Sequence, residues 1–331
     1  MKIKAAIVGS GIGLRHFEAI QNYKGSIVKV ICESNKSKIK ILKKKFPNVQ
    51  ITSNFKDVIK NQDINLLSIA SYDQFHYDQI IAGIKNQKNL IIEKPMCLNI
   101  SQLKKIRSYL KKEKKINIIS NLVLRTEPIF KYIKKNINKN NLFYIEADYI
   151  WGRLYKLTDD WRTKVKNYSL ISGTAIHMID LVMWFLNDRP KKVLAIGNKI
   201  LTSKSKFKKE SFVVCILEFS KDIIVKITAN STNDYDHMHE VKIFQKYKTI
   251  IQSKNGLEVI TQSRGKIVKR KLNLRYPLKK NRKQLIRSFI DNILKKKEPM
   301  MSLKEQFDLM SVCFALNRSL KISKKIDVEY L

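Results

Sequence analysis

Short apolar runs and amphipathic stretches alternate through the first third of the chain. Ile3 to Val8, Ser26 to Cys32, Leu66 to Ala70 and Leu90 to Ile92 read as buried strands. Between them Leu14 to Tyr23, Lys36 to Phe46 and Tyr77 to Lys85 read as helices. Strand and helix alternating at this spacing predict a doubly wound parallel sheet in an α/β domain. Past residue 120 the period changes. Leu142 to Trp151, Lys192 to Asn198, Phe212 to Phe219, Ile223 to Ala229 and Glu240 to Phe244 alternate apolar and polar positions. That pattern predicts an α+β domain with a large, open, mainly antiparallel sheet, one face wet. Ala175 to Leu186, apolar all round, predicts a buried helix; Lys279 to Leu294 and Ser302 to Leu320 predict two closing helices. The expected division is residues 1–120 and 121–331, and 331 residues suit two domains better than one core.

Charge complicates this picture without overturning it. The net charge is +38, from 54 Lys and 12 Arg against 28 acidic residues. The lysines are dispersed, and the longest runs, Lys43 to Lys45 and Lys295 to Lys297, are three residues. A nucleic-acid reader concentrates Arg and aromatic side chains on one element. The expectation is a solvated basic surface with no nucleic-acid partner, leaving steering of an anionic substrate as its one functional consequence. No stretch approaches the roughly 18 to 20 apolar residues of a spanning helix, so no membrane partner is expected. The opening residues lead into a glycine turn instead of a cleavage site, and Cys32, Cys97, Cys215 and Cys313 form no C-x-x-C pair. A cytoplasmic setting with reduced, buried thiols is expected.

Candidate chemistry begins at "GSGIGLRH", Gly9 to His16. A glycine turn from a strand into a helix aims backbone N–H groups and the positive helix end at an anion. Gly9 permits the turn, Gly11 a close approach to a pyrophosphate, and Gly13 close packing of helix on sheet. The spacing is one residue shorter than G-x-G-x-x-G, which also suits a methyl-donor turn or a plain corner. Gly9, Gly11 and the N–H groups near Ile12 and Gly13 are the expected contacts. Glu33 ends the second strand, 20 residues beyond Gly13. A carboxylate there accepts from both hydroxyls of an adenosine ribose and repels a 2′-phosphate, which favours NAD. Ser34, Lys36 and Lys38 follow and leave NADP possible.

The stretch "SIASYDQFHYDQIIAGIKNQKNLIIEKPMCLN", Ser68 to Asn99, resembles the glucose–fructose oxidoreductase, inositol dehydrogenase and rhizopine-catabolism (Gfo/Idh/MocA) family, whose members carry a strand ending in E-K-P. Here that is Glu93-Lys94-Pro95. "NLVLRTEP", "FYIEADY", "SGTAIHMIDLVMWFLND" and the closing helices extend the resemblance over nearly the whole chain, against the methyl-donor reading. The resemblance implies an N-terminal Rossmann domain and an NAD-dependent sugar oxidoreductase. Ser71, His76, Glu93, Lys94 and Pro95 join the glycine turn and Glu33 at the cofactor, and the Lys94–Pro95 bond is expected cis. Lys94 would touch the substrate hydroxyls beside the nicotinamide and His177, with Asp180 one turn on, would accept a proton.

The chemistry agrees with those roles. Oxidising a secondary alcohol needs a base for the hydroxyl proton, and an imidazole titrates near neutrality. A lysine beside a cationic nicotinamide should have a lowered pKa. Two departures stand out. Gly173 occupies the position, four before the histidine, where many members carry aspartate, and Tyr72 stands where proline is usual. The segment from Lys156 to Asp180 most resembles surface-polysaccharide branches, which implies a sugar or nucleotide-linked sugar as substrate. Arg125, Trp161, Arg162 and Tyr168 are candidate substrate contacts, with an arginine meeting a phosphate or carboxylate. His237 and His239 share one face of a strand, but no third ligand stands at a telling spacing, and no metal is expected. His16 fits the family's arrangement and is expected to pack. A homodimer or homotetramer through the open sheet is expected, and the missing aspartate leaves a non-catalytic NAD- or sugar-binding relative as the alternative.

Overall fold

A computed structural model describes residues 2–113, 115–232 and 234–331. The chain begins with β1 (Ile3–Val8), α1 (Gly13–Gln21), β2 (Ser26–Cys32), α2 (Lys36–Lys45), β3 (Gln50–Thr52), α3 (Phe55–Lys60), β4 (Leu66–Ile69), α4 (Asp73–Lys85), β5 (Asn89–Ile92), α5 (Ile100–Lys112) and β6 (Ile118–Ser120). The six strands are parallel in the order β3-β2-β1-β4-β5-β6. That is the Rossmann order, with its switch point between β1 and β4. The central strands are apolar on both faces because helices cover both: all four residues of β4 are buried. The strands read from the sequence are all present; β3 and β6, three residues each, are additional.

The chain continues with α6 (Pro128–Asn136), β7 (Leu142–Ile150), the single turn α7 (Tyr155–Thr158), α8 (Ile176–Leu186), β8 (Lys192–Asn198), β9 (Phe212–Glu218), β10 (Ile224–Asn230), β11 (Met238–Gln245), β12 (Lys248–Ser253), β13 (Gly256–Ser263) and β14 (Lys266–Leu272). It closes with α9 (Lys283–Lys295), α10 (Leu303–Ile322) and β15 (Ile326–Asp327). A nine-stranded sheet has the order β14-β13-β12-β11-β7-β10-β9-β8-β15 and is antiparallel except where β7 runs parallel to β10. In β9 and β10 buried and partly exposed residues alternate strictly after the first position, as expected for a half-wet sheet. The buried helix α8 leaves only His177 and Trp184 short of full burial.

Two compact units result, and they differ from a single cut at residue 120. One comprises Met1–Val123 and Lys280–Gln306, the other Leu124–Lys279 and Phe307–Leu331. The first expected closing helix, α9, therefore belongs to the Rossmann unit. Its stripe Leu285, Ile286, Phe289, Ile290 and Ile293 joins the core of Ile3, Ala19, Ile20, Val28 and Ile31. Tyr23, just past the end of α1, donates to Asp291 on α9, and Lys283 pairs with Glu18. The four cysteines are buried and free. No helix among the described residues is long and apolar enough to cross a membrane.

Candidate active site

Within the Rossmann unit, the glycine turn sits at the carboxyl end of β1. Gly9 has φ +90°, and a Cβ there would lie 2.4 Å from the Ala70 carbonyl oxygen. Only glycine tolerates both conditions. A Cβ on Gly13 would meet Ile7 at 2.9 Å and Ala70 at 3.2 Å, so its absence seats α1 on the sheet. A Cβ on Gly11 would meet nothing within 4 Å, so this backbone faces open space. Helix α1 has no side-chain cap and no acidic residue in its first turn. Its positive end is left for an anion.

Glu33 follows β2 and is buried. Its Oε2 accepts from the Ser10 amide (3.0 Å) and the Ser10 hydroxyl, and its Oε1 from the Asn35 amide at 3.0 Å. Burial pushes its pKa up, but the Ser10 and Asn35 bonds outweigh that and hold it below the usual carboxylate range. The acid is thus ionised and tied to the glycine turn. A turn with a glycine-lined opening, an uncapped helix and an ionised strand-end acid fits a dinucleotide.

The E-K-P residues follow β5, and the Lys94–Pro95 bond is cis. Glu93 Oε1 accepts from Asn121 Nδ2 at 2.6 Å and lies 3.0 Å from His16 Nε2. His16, 1 % exposed, places Nδ1 2.8 Å from the Ser68 hydroxyl. Burial raises the Glu93 pKa, but His16, Asn121 and the Lys94 charge bring it down to about 2. His76, expected as a cofactor contact, is fully buried, with Nδ1 2.8 Å from the Pro95 carbonyl oxygen and Nε2 3.1 Å from the Ser71 carbonyl oxygen. Ser71 is half-buried, and its hydroxyl donates to Gln79 at 2.7 Å.

In the second unit His177 stands on the first turn of α8, after a π-turn at Ile171–Ala175. Such wide turns are rare and concentrate at functional sites. Its ring meets Tyr149 edge-on at 5.9 Å and His239 at 6.3 Å. Tyr149 and His239, opposite each other on β7 and β11, stack at 4.4 Å. The two strand histidines that suggested a metal thus belong to this ring cluster, with His239 Nδ1 2.5 Å from the Tyr276 hydroxyl. Among the described residues no three His, Cys, Asp or Glu side chains are arranged to hold a metal ion. Tyr149, Ser10, Ser68 and Asn121 were not singled out from the sequence, having no local motif to mark them.

Asp180, expected beside His177, and Arg125, expected at the substrate, are buried partners. They bond each other: Arg125 Nε lies 3.1 Å from both carboxylate oxygens and Nη2 2.7 Å from Oδ1. Arg125 is 3 % and Asp180 1 % exposed. Arg162, which remains more open, stacks on Trp161 at 4.4 Å and Trp151 at 5.4 Å, and pairs with Asp160 at 2.8 Å. Tyr168 is buried beneath it, its hydroxyl accepting from Arg162 Nε at 3.3 Å. A Cβ on Gly173 would lie 2.2 Å from that hydroxyl oxygen. The phenol therefore fills the space that a side chain at 173 would need.

These features define a Rossmann-type, dinucleotide-dependent oxidoreductase. Residues 3–121 match the oxidoreductase family with an NAD-binding Rossmann fold, and residues 141–251 match the Gfo/Idh/MocA C-terminal domain. The chain belongs to the Gfo/Idh/MocA family and is an NAD-binding oxidoreductase. It is 22 % identical over 239 residues to an inositol 2-dehydrogenase of Salmonella paratyphi B, covering 71 % of this chain and 70 % of that one. The fold matches a scyllo-inositol dehydrogenase from Lactobacillus casei with bound NAD(H) and scyllo-inositol, with TM-score 0.80 and 17 % identity over 99 % of both chains. It also matches a levoglucosan dehydrogenase in complex with NADH, with TM-score 0.86 and 16 % identity over the full length of both.

Proposed function

We propose that this chain interconverts a secondary alcohol and a ketone on a cyclic polyol, a sugar or a nucleotide-linked sugar. The observation that carries the proposal is Lys94 at the carboxyl end of β5, flanked by a locked Glu93 and Pro95 in an NAD-binding family domain. Gly9, Gly11 and the amides near Ile12 and Gly13 would hold the pyrophosphate, and Glu33 the ribose. Bound NAD supplies the hydride acceptor. The alcohol carbon loses a hydride and its hydroxyl loses a proton, so a base is required. His177 takes that proton, and Lys94 holds and polarises the hydroxyl. Arg162, with Trp161 as its stacking partner, contacts the sugar or its anionic substituent.

Inositols head the substrate panel because relatives carry that activity; levoglucosan, free sugars and UDP-sugars complete it. NADH formation with any of them supports the proposal. Tight NAD binding without turnover of any would overturn it in favour of a non-catalytic, ligand-binding role, which the missing carboxylate at Gly173 would then explain.

Glu33→Gln should raise KM for NAD about 10-fold or more, the scale of a lost charge-assisted hydrogen bond, and narrow the preference over NADP. Unchanged NAD and NADP constants would remove Glu33 from the site. A homodimer or homotetramer fits the second sheet, which exposes Ile196 and Ile224. Sedimentation of a monomer at micromolar concentration would refute this.

A further inference from the structure

We propose that His16 and His76 are positioning residues for Lys94, fixing the backbone on either side of it. The inference rests on the reading of Lys94 given above. His16 reaches Glu93 across 77 positions of sequence, and His76 reaches the Pro95 carbonyl across 19. A carboxylate only accepts, so a hydrogen bond across the 3.0 Å contact to Glu93 places the N–H on His16 Nε2, a nitrogen that also lies 3.0 Å from Asn121 Nδ2. In the neutral ring Nδ1 then accepts from the Ser68 hydroxyl, and Asn121 completes the shell of Glu93. On the other side either tautomer of His76 ties one carbonyl, that of Pro95 or that of Ser71.

A buried polar network is an uneconomical way to fill space. Apolar side chains of similar volume stabilise a core as well or better. Ser68, His16, Glu93 and Asn121 are nevertheless gathered where β5 ends and Lys94 begins. A lysine carries its ammonium on a flexible four-carbon stem, so the reach of Nζ is set by the backbone that bears it. Misplacing a reacting group by an ångström costs on the order of 100-fold in rate. The two imidazoles supply that placement from α1 and α4, the helices that also bracket the glycine turn and the loop after β4.

The test compares two substitutions at one position. His16→Gln retains an N–H near the place of Nε2, within reach of Glu93. His16→Asn retains only the group facing Ser68. His16→Asn should lower kcat about 10- to 100-fold with KM for NAD little changed, and His16→Gln should recover most of the loss. Lys94 is also read directly, by competitive labelling of its amine against pH with mass spectrometry of its peptide. The labelling profile should shift in the Asn variant and return in the Gln variant. Equal loss in both variants, loss only in stability or NAD binding, or an unshifted Lys94 profile would overturn the proposal. A wild-type chain that turns over no sugar, with the labelling contrast intact, would defeat the proposed function and leave the positioning role standing. If His16→Asn does not fold, His76→Gln keeps the Ser71 side of its contacts, drops the Pro95 side and must show the same kinetic split.

Discussion

Lys94→Ala is expected to lower kcat by about 10³-fold while NAD binding stays within a few-fold of wild type. The separation follows from where the proposed pyrophosphate and ribose contacts lie. The glycine turn, the uncapped start of α1 and Glu33 are built from residues 9 to 33 and their packing against Ala70, at the ends of β1 and β2 and not at the end of β5 that bears Lys94. Losing the ammonium removes the group proposed to hold and polarise the alcohol, an interaction that strengthens as the hydroxyl proton leaves. Such an interaction appears in kcat more than in KM. Lys94→Arg should recover little, because a guanidinium keeps the charge but has a different shape and does not release a proton. Tryptophan fluorescence titration with NAD, together with steady-state rates on whichever panel substrate is turned over, measures both halves. A kcat within about 10-fold of wild type would remove Lys94 from the chemistry.

The legible parts of this molecule were those in which a local pattern has one physical meaning. The glycines of the first turn acted as separate constraints, each readable from its spacing. Gly9 relieves a positive φ and a carbonyl contact, Gly13 seats a helix, and Gly11 leaves an open face. Strands of six or seven residues with a buried face were equally plain. β3 and β6, at three residues, are too short to show a period. Helix α5 carried a usable signal in Leu103, Ile106 and Leu110, which share one face. The β13–β14 hairpin did not, since every residue of β14 but the last is exposed and no face demands apolar side chains. An apolar stripe announces a surface to be covered and leaves open what covers it. That is why α9 was readable as a helix and its place on α1 was not. The same limit governs the site: Glu93 to His16 and Arg125 to Asp180 are pairings over long sequence separations. Gly173 looked like a missing carboxylate, and only the fold shows Tyr168 in its space.

Breaking the Arg125–Asp180 pair should cost about 3–5 kcal/mol of stability from either side, because each single substitution strips a buried charge of this partner. Asp180→Asn keeps the size of the side chain and abandons the guanidinium; Arg125→Met keeps an unbranched stem and abandons the carboxylate. Their combination leaves no charge behind, so its cost should fall well below the sum of the two. Urea unfolding of all four proteins closes the cycle, with the NAD-saturated forms as a second measurement. The geometry behind this expectation is unusually complete for an ion pair. Two guanidinium nitrogens reach one carboxylate, both side chains are at or below 3 % exposed, and the guanidinium also lies 5.9 Å over the Trp184 ring. Solvent screening, which weakens most surface pairs to below about 1 kcal/mol, has little purchase here. The outcome also separates two roles for these residues. An arginine that anchored a substrate anion would be lost as a rise in KM with stability intact, and an aspartate that served as a base would be lost from kcat in a fully stable protein. Additive stability losses in the cycle, or an Asp180→Asn variant as stable as wild type, would return both residues to the substrate. A coupled loss assigns them instead to holding α8, and His177 on its first turn, against the short turn at Val123–Thr126 that carries Arg125.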